Sequence, residues 1–241
     1  MPRPVHSRHA ALLFALSLCG CEQATEIPAA MPLWAQDHAR VLFHQAEETH
    51  PFFSTADLAS QFFKRHTDPQ VLLDTMAIEP GMVVADIGAG VGWFTFRIAD
   101  AVGPDGQVHA LDIQLRTVSI LESRAAQPEL NPHGNVQVHL SSVSSTGLPP
   151  ASLDLALMAH LDFYLAPTLS AEGVAMLAST HDTLRPGGRL VVAQFMRPDD
   201  VIEHLPRHFA AAGFEQVSAE LVPRKTWIFV FERPGESGEA G

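Results

Sequence analysis

The chain has 241 residues, with 15 Lys and Arg against 27 Asp and Glu, and its formal net charge is −12 at pH 7. Apolar residues make up 46% of the chain and charged residues 17%, which excludes a wholly disordered protein and allows one large core. Because phosphate binding needs a basic surface, the acidic balance argues against nucleic acid as a partner.

Residues 1–20 have the organisation of a secretory signal peptide. A basic segment precedes a short apolar run, 10–18, which is shorter than the roughly 18 to 20 residues of a membrane span. The run ends in Leu18-Cys19-Gly20-Cys21, which resembles a bacterial lipobox. Cys21 is therefore predicted to carry a lipid anchor that holds the protein in the cell envelope, facing the periplasm. The alternative is a cytoplasmic protein whose translation begins at Met31.

The segments that flank the central part of the chain differ in composition. Residues 21–33 are polar and contain prolines, which predicts a tether. Residues 34–80 have apolar side chains three or four positions apart, with Pro51 and Pro69 between the clusters, which predicts a helical extension that covers substrate as a lid. Residues 233–241 offer almost nothing for a core to bury and are predicted to be a disordered tail.

Short β-branched runs alternate with longer amphipathic segments over residues 81–232. This alternation predicts βαβ units, with helices on both faces of a parallel sheet. The predicted strands are 82–87, 108–111, 136–140, 153–158 and 189–195, and the predicted helices are 93–101, 114–126, 168–184 and 201–212. Two last strands, 214–222 and 226–232, form an antiparallel hairpin. The predicted fold class is a doubly wound, Rossmann-like α/β domain with a mostly parallel sheet, an antiparallel C-terminal hairpin and a helical N-terminal extension.

A glycine-rich turn follows the first predicted strand. Its sequence is Val83-Val84-Ala85-Asp86-Ile87-Gly88-Ala89-Gly90-Val91-Gly92-Trp93. Glycines allow a tight turn and let a ligand approach the backbone closely. The turn is not a dinucleotide loop, because Trp93 stands where that loop has its third glycine, and it is not a P-loop, because no lysine follows.

Asp112 ends the second predicted strand, 20 positions after Gly92. An acid at this point accepts hydrogen bonds from ribose hydroxyls in dinucleotide-binding folds. The glycine turn and Asp112 together predict a site for a nucleoside without a pyrophosphate. The alternative is that Asp86 and Asp112 only cap turns.

Four motifs in the same order resemble those of the class I S-adenosylmethionine-dependent methyltransferases. Residues 83–93 resemble their first motif, and His109-Ala110-Leu111-Asp112 resembles their second-strand acid. Leu148-Pro149 followed by Leu153-Asp154-Leu155 resembles the stretch that enters their fourth strand, and 184–190 resembles their Pro-Gly-Gly turn. The resemblance covers about residues 80–232 and implies methyl transfer with S-adenosylmethionine as the cofactor.

The resemblance also implies how the cofactor is bound. Asp86, Gly88 and Gly90 would line its methionine moiety, Asp112 would bind the ribose, and Ile113 would lie beside the adenine. Ala89 and Gly92 belong to the same cofactor-binding turn. Many family members carry an acid after the third strand that contacts the adenine amino group, and Ser142 is the residue predicted to form a hydrogen bond there.

Acceptors bind beyond the carboxyl ends of the strands in this class of fold, which points to residues 159–164. His160 is predicted to be the general base, Asp162 to orient it or to bind an amine, and Tyr164 to position the substrate. The alternative is that His160 caps the strand and Tyr164 packs in the core. The 13 histidines show no metal-ligand spacing, so no metal site is predicted.

The predicted function is methyl transfer from S-adenosylmethionine to a small-molecule or lipid-like acceptor. The alternative is an envelope lipoprotein whose domain keeps the fold as a non-catalytic binding module. That alternative has a physical motive, because S-adenosylmethionine is made in the cytoplasm and an exported protein faces away from it. The sequence leaves the acceptor and the oligomeric state open.

Overall fold

The computed structural model describes residues 68–161, 164, 166–195, 204–223 and 226–235. Within them the helices are α1 (Pro69–Met76), α2 (Thr95–Val102), α3 (Leu115–Ala125), α4 (Ala171–Thr183) and α5 (Leu205–Ala211). The strands are β1 (Val83–Ile87), β2 (Gln107–Asp112), β3 (Val136–Leu140), β4 (Leu153–Ala159), β5 (Leu184–Phe195), β6 (Glu215–Val222) and β7 (Thr226–Glu232). The predicted signal peptide, the tether and most of the helical extension lie outside the described residues. In the part of the chain that is described, no helix combines the length and the apolar character that a membrane crossing requires.

The strands form one mixed sheet in the order β3-β2-β1-β4-β5-β7-β6. Strands β1 to β5 run parallel, while β7 is antiparallel to both β5 and β6. Parallel neighbours need a long crossover between them, whereas antiparallel neighbours can be joined by a short turn. The predicted doubly wound sheet with an antiparallel C-terminal hairpin is therefore confirmed.

Both faces of the central strands are buried. Along β4, Leu155 and Leu157 pack with Ile98 of α2 on one face, while Met158 packs with Phe209 of α5 on the other. All five of these side chains are fully buried. A strand that is covered on both faces needs apolar side chains in both directions, which explains the continuous apolar runs of the sequence.

The Pro-Gly-Gly motif forms a wide bulge at the start of β5. Four residues between Leu184 and Arg189 lie opposite one residue of β4, Asp154. The Asp154 carboxylate accepts a hydrogen bond from the Val83 N–H at 2.8 Å and pairs with the Arg185 guanidinium at 2.7 Å. These contacts join β1, β4 and β5 at their amino ends, so this motif builds the sheet and lies away from the carboxyl ends.

The predicted disordered tail is wrong at its first residue, Arg233. Its backbone N–H donates to the Gly188 carbonyl at 2.8 Å. Its guanidinium donates to the carbonyls of His181, Asp182 and Leu184 at 3.1, 3.0 and 2.6 Å. The last carbonyls of a helix have no partner within the helix, and a guanidinium offers several donors to them. A prediction based on apolar content could not detect this contact.

Candidate active site

Backbone hydrogen bonds hold the glycine turn at the carboxyl end of β1. The N–H groups of Gly88 and Ala89 both donate to the carbonyl of Leu111, at 2.8 and 2.9 Å. Gly90 has a φ of +56°, and no heavy atom lies within 4 Å of the place that a Cβ would take. The turn therefore presents bare backbone to open space, as a close approach by a ligand requires.

Gly92 has a different place from the one the sequence predicted. A Cβ on Gly92 would lie 2.5 Å from the Phe96 ring and 2.7 Å from a methyl group of Leu121. The residue faces α2 and α3 and is not among those that line the cavity beside the turn. We therefore assign Gly92 to the packing of the turn against these helices, not to contact with a cofactor.

Asp112 connects the end of β2 to the glycine turn. One carboxylate oxygen accepts the Gly90 N–H at 2.9 Å, and the other accepts the Gln114 N–H at 2.8 Å. Burial raises the pKa of this carboxyl, and the backbone hydrogen bonds from Gln114, Gly90 and Ile113 oppose that increase. Each oxygen of a carboxylate has two lone pairs, so Asp112 can shape the turn and still accept ribose hydroxyls.

Asp86 lies at the end of β1 and is 2% exposed. Its carboxylate accepts a hydrogen bond from the Thr95 hydroxyl at 2.6 Å. Burial raises the pKa of Asp86 to about 6; the Thr95 hydrogen bond opposes this increase and the nearby Asp112 charge adds to it. A positively charged partner would lower the pKa of this buried carboxyl and favour its ionised form.

The Asp86 pKa predicts a pH dependence of stability. Between pH 4 and 6 the folded protein holds a proton on Asp86 that the unfolded chain has lost, so the free energy of unfolding falls as the pH rises. The full decrease is about 3 kcal/mol, at about 1.4 kcal/mol for each pKa unit. The free energies of unfolding of wild type and Asp86→Asn are measured by urea denaturation at several pH values. We expect the difference between the two proteins to change with pH by this amount. A difference that stays constant from pH 4 to 7 would contradict the assignment.

A cavity of about 360 Å³ opens beside the glycine turn, which is within the size range of small-molecule sites. It brings together the predicted residues Asp86, Gly88, Ala89, Gly90, Asp112, Ile113 and His160. The sequence analysis did not find the residues that complete the wall, which include Trp93, Gln114, Thr117, Val143, Leu161, Ser170, Glu172 and Met176. The last three come from the N-cap and the first two turns of α4, and only the Ser170 cap had a local signal in the sequence.

Ser142 does not line the cavity, although its neighbours Ser141 and Val143 do. The Ser142 hydroxyl accepts the Ser144 N–H at 3.3 Å and lies 3.4 Å from the Ser145 carbonyl. It therefore stabilises the turn after β3 and is not placed to meet an adenine.

His160 follows β4 directly and lines the cavity. Its backbone N–H donates to the Ala193 carbonyl at 2.8 Å, which extends the pairing of β4 with β5 by one residue. Its φ is +58°, in the left-handed region that non-glycine residues rarely adopt. Such a conformation costs free energy and tends to occur at functional sites, which supports a role for the imidazole in the cavity.

The left-handed backbone of His160 predicts a difference in stability between two variants of this residue. His160→Gly and His160→Ala both remove the imidazole, but only glycine relieves the backbone conformation. We expect the glycine variant to be more stable than the alanine variant by about 1 kcal/mol, or about 2 to 4 °C in Tm. Calorimetric melting of both variants measures the difference. Equal melting temperatures would show that residue 160 is not strained.

Tyr164 is fully buried and packs against Phe209, with ring centroids 5.9 Å apart. Its hydroxyl donates to the Gln194 side chain at 3.1 Å and lies 3.3 Å from the Leu161 N–H, which donates to it. This placement agrees with the alternative in which Tyr164 packs in the core, and the residue does not reach the cavity. Asp162 lies outside the described residues.

Comparison with known proteins identifies the domain. A family model described as a methyltransferase domain matches residues 78–227. The chain belongs to this family. The mostly parallel sheet with antiparallel C-terminal strands described above agrees with the fold of an S-adenosylmethionine-dependent methyltransferase domain.

Curated relatives match across this domain. An arsenite methyltransferase from Halobacterium salinarum is 28% identical over 168 residues, which is 61% of this chain and 40% of that protein. A ubiquinone/menaquinone biosynthesis C-methyltransferase from a Marinomonas species is 27% identical over 163 residues, which is 68% of this chain and 57% of that protein. This chain therefore spans about half the length of the curated relatives that it matches.

Solved structures share the fold at low sequence identity. An S-adenosylmethionine-dependent methyltransferase from Aquifex aeolicus superposes with a TM-score of 0.62 at 18% identity, over 81% of this chain and 98% of that chain. The 1,6-didemethyltoxoflavin-N1-methyltransferase from Burkholderia thailandensis, solved with bound S-adenosylhomocysteine, gives 0.62 at 19% identity, over 87% and 93%.

The residues around the cavity fit S-adenosylmethionine. Gly90 leaves open space where any side chain would intrude on a bound ligand, and Asp112 lies next to it with lone pairs for ribose hydroxyls. The buried Asp86 carboxyl matches the positive charge of the methionine moiety. Ile113 supplies an apolar contact for the adenine.

Proposed function

We propose that this protein transfers a methyl group from S-adenosylmethionine to a small-molecule or lipid-like acceptor. One observation carries the proposal: the glycine turn, the two buried acids and a left-handed His160 line the same cavity at the carboxyl ends of the strands. Bound S-adenosylmethionine would supply an electrophilic methyl group. The chain has to position the two reactants and exclude water between them.

Each part of the cavity has a role in this proposal. Asp86, Gly88 and Gly90 hold the methionine moiety, and Asp112 holds the ribose while it fixes the turn. His160 accepts the proton of the acceptor when the attacking atom carries one. Asp162 follows it in the sequence and is proposed to orient the imidazole or to bind an amine, and the helical extension before residue 80 is proposed to cover the acceptor.

Cofactor binding and turnover are tested separately. The purified full chain is titrated with S-adenosylmethionine and S-adenosylhomocysteine by calorimetry, and it is then incubated with S-adenosylmethionine and fractionated small-molecule and lipid extracts. We expect both ligands to bind and one fraction to yield S-adenosylhomocysteine, with slower formation by His160→Gln. Absence of binding would overturn the proposal. Binding without turnover in any fraction would establish the non-catalytic binding module in its place.

We also propose that Cys21 carries the lipid that attaches the protein to the envelope membrane. The support is the order of basic segment, apolar run, Leu18-Cys19-Gly20-Cys21 and polar tether in the sequence. Fractionation of cells that express wild type or Cys21→Ser, with mass spectrometry of the N-terminal peptide, tests this. A soluble wild type, or an unmodified peptide that begins at Met31, would contradict the anchor.

A further inference from the structure

Most of the ionisable side chains that line the cavity are acidic. Three carboxylates line it, those of Asp86, Asp112 and Glu172. Among the described residues of the lining there is no lysine or arginine, and His160 is the remaining titratable side chain. The whole chain has a net charge of −12, so its long-range field also repels anions. The described lining therefore favours a positively charged group on the acceptor over a carboxylate or a phosphate.

Asp86 and Asp112 contact the glycine turn and the helix after it, and both are assigned to the cofactor. Glu172 is the third carboxylate of the cavity and has no role in cofactor binding. It lies in the first turn of α4, whose N-cap Ser170 accepts the Gly173 N–H at 3.1 Å. Hydrogen bonds from its own backbone N–H and from the Ser170 hydroxyl lower the pKa of Glu172. Glu172 is exposed to solvent and lines the cavity, and its carboxylate is ionised at neutral pH.

Several apolar side chains line the same cavity as Glu172. Met176 lies one helical turn further along α4, and Leu161 and Val143 line the same cavity. Val143 is 41% exposed. An exposed apolar group next to an open site is a natural contact surface for a ligand. The acceptor is therefore expected to bring an apolar body to this part of the cavity.

We propose that the acceptor combines an apolar body with a basic amine, and that Glu172 determines this specificity by pairing with the amine. This inference rests on the proposed function and names the class of its substrate. The attraction between the amine and Glu172 favours the correct acceptor, and repulsion between carboxylates rejects acidic molecules of the same shape. Met176, Leu161 and Val143 contact the apolar body.

The test uses three small probes that share a phenyl ring and differ in charge: 2-phenylethylamine, 2-phenylethanol and 3-phenylpropionate. Their dissociation constants are measured by ligand-observed NMR on the full chain saturated with S-adenosylhomocysteine. We expect the amine to bind about fivefold or more tightly than the carboxylate, with the alcohol between them. Glu172→Gln should bring the amine to the affinity of the alcohol and leave the alcohol unchanged. Glu122→Gln, which removes an exposed carboxylate of α3 outside the cavity lining, is the matched control and should keep the preference.

Equal affinity of the amine and the carboxylate, or an amine preference that survives in Glu172→Gln, would overturn the specificity proposal. Either result could occur with S-adenosylhomocysteine still bound, so neither would affect the proposed function. Failure of S-adenosylhomocysteine to bind at all would instead overturn the proposed function. The two failures are therefore distinguished on the same protein sample.

Discussion

Replacement of Asp112 by alanine is expected to weaken S-adenosylhomocysteine binding by about 1 to 3 kcal/mol, or roughly fivefold to 150-fold. The wild-type carboxylate accepts the N–H groups of Gly90 and Gln114, and both donors lose this partner in the variant. The ribose hydroxyls lose the same acceptor. The substitution thus affects both the turn and the ligand. Calorimetric titration of wild type and variant measures the total loss of binding free energy.

Asp105→Ala is the matched control for the charge, because Asp105 is exposed and is not part of the cavity lining. It removes one negative charge before the amino end of β2, whereas Asp112 lies at the carboxyl end of that strand, and it should leave the dissociation constant unchanged. Asp112→Asn separates two roles, since an amide keeps one acceptor oxygen but loses the charge. If Asp112→Ala binds the ligand as tightly as wild type, Asp112 only caps turns, as the alternative from the sequence holds.

Gly90→Val is expected to abolish measurable cofactor binding while the circular dichroism spectrum stays native. No heavy atom lies within 4 Å of the added Cβ, so the side chain enters open space and displaces the ligand without displacing the protein. The φ of +56° adds a backbone cost, because a β-branched residue is strained in the left-handed region. Titration with S-adenosylmethionine and a far-ultraviolet spectrum of the same sample test both parts.

Gly134→Val is the control for the cost in free energy of placing valine at a left-handed backbone position. Gly134 has a φ of +64° and open space at its Cβ, but it is exposed and is not part of the cavity lining. Both variants should lose a similar free energy of unfolding, about 1 to 2 kcal/mol, while only Gly90→Val should lose the ligand. Loss of binding in both variants, or an unfolded Gly90→Val, would mean that Gly90 is structural.

The sequence by itself determined the fold class and the residues at the centre of the cavity. Strands and helices alternate with a clear period, and the run of short loops permits few arrangements other than a doubly wound sheet. The turn at Gly88 and Gly90 and the acid Asp112 come at the ends of two neighbouring strands, so the topology necessarily brings them together. Their meeting follows from local spacing plus strand order, both of which can be read along the chain.

Only the tertiary structure decided which neighbours of these residues line the cavity. Gly92 and Ser142 lie one or two positions from residues of the cavity, yet they point to helix packing and to a local turn. Tyr164 looks like a substrate residue by its place after β4, but its ring fills the core beside α5. Such differences depend on side-chain direction and on elements distant in sequence, which local patterns do not record.

Local sequence patterns also do not predict contacts between residues that lie far apart in the chain. The first turn of α4 supplies Glu172 to a cavity whose glycine turn lies more than 80 positions earlier, and no spacing along the chain announces this meeting. Arg233 binds the end of the same helix through three carbonyls, although its own neighbourhood looks like a tail. The sequence thus determined which elements form and how they are ordered. The packing of those elements decided which side chains meet, because a side chain's partners depend on the position of whole helices and strands.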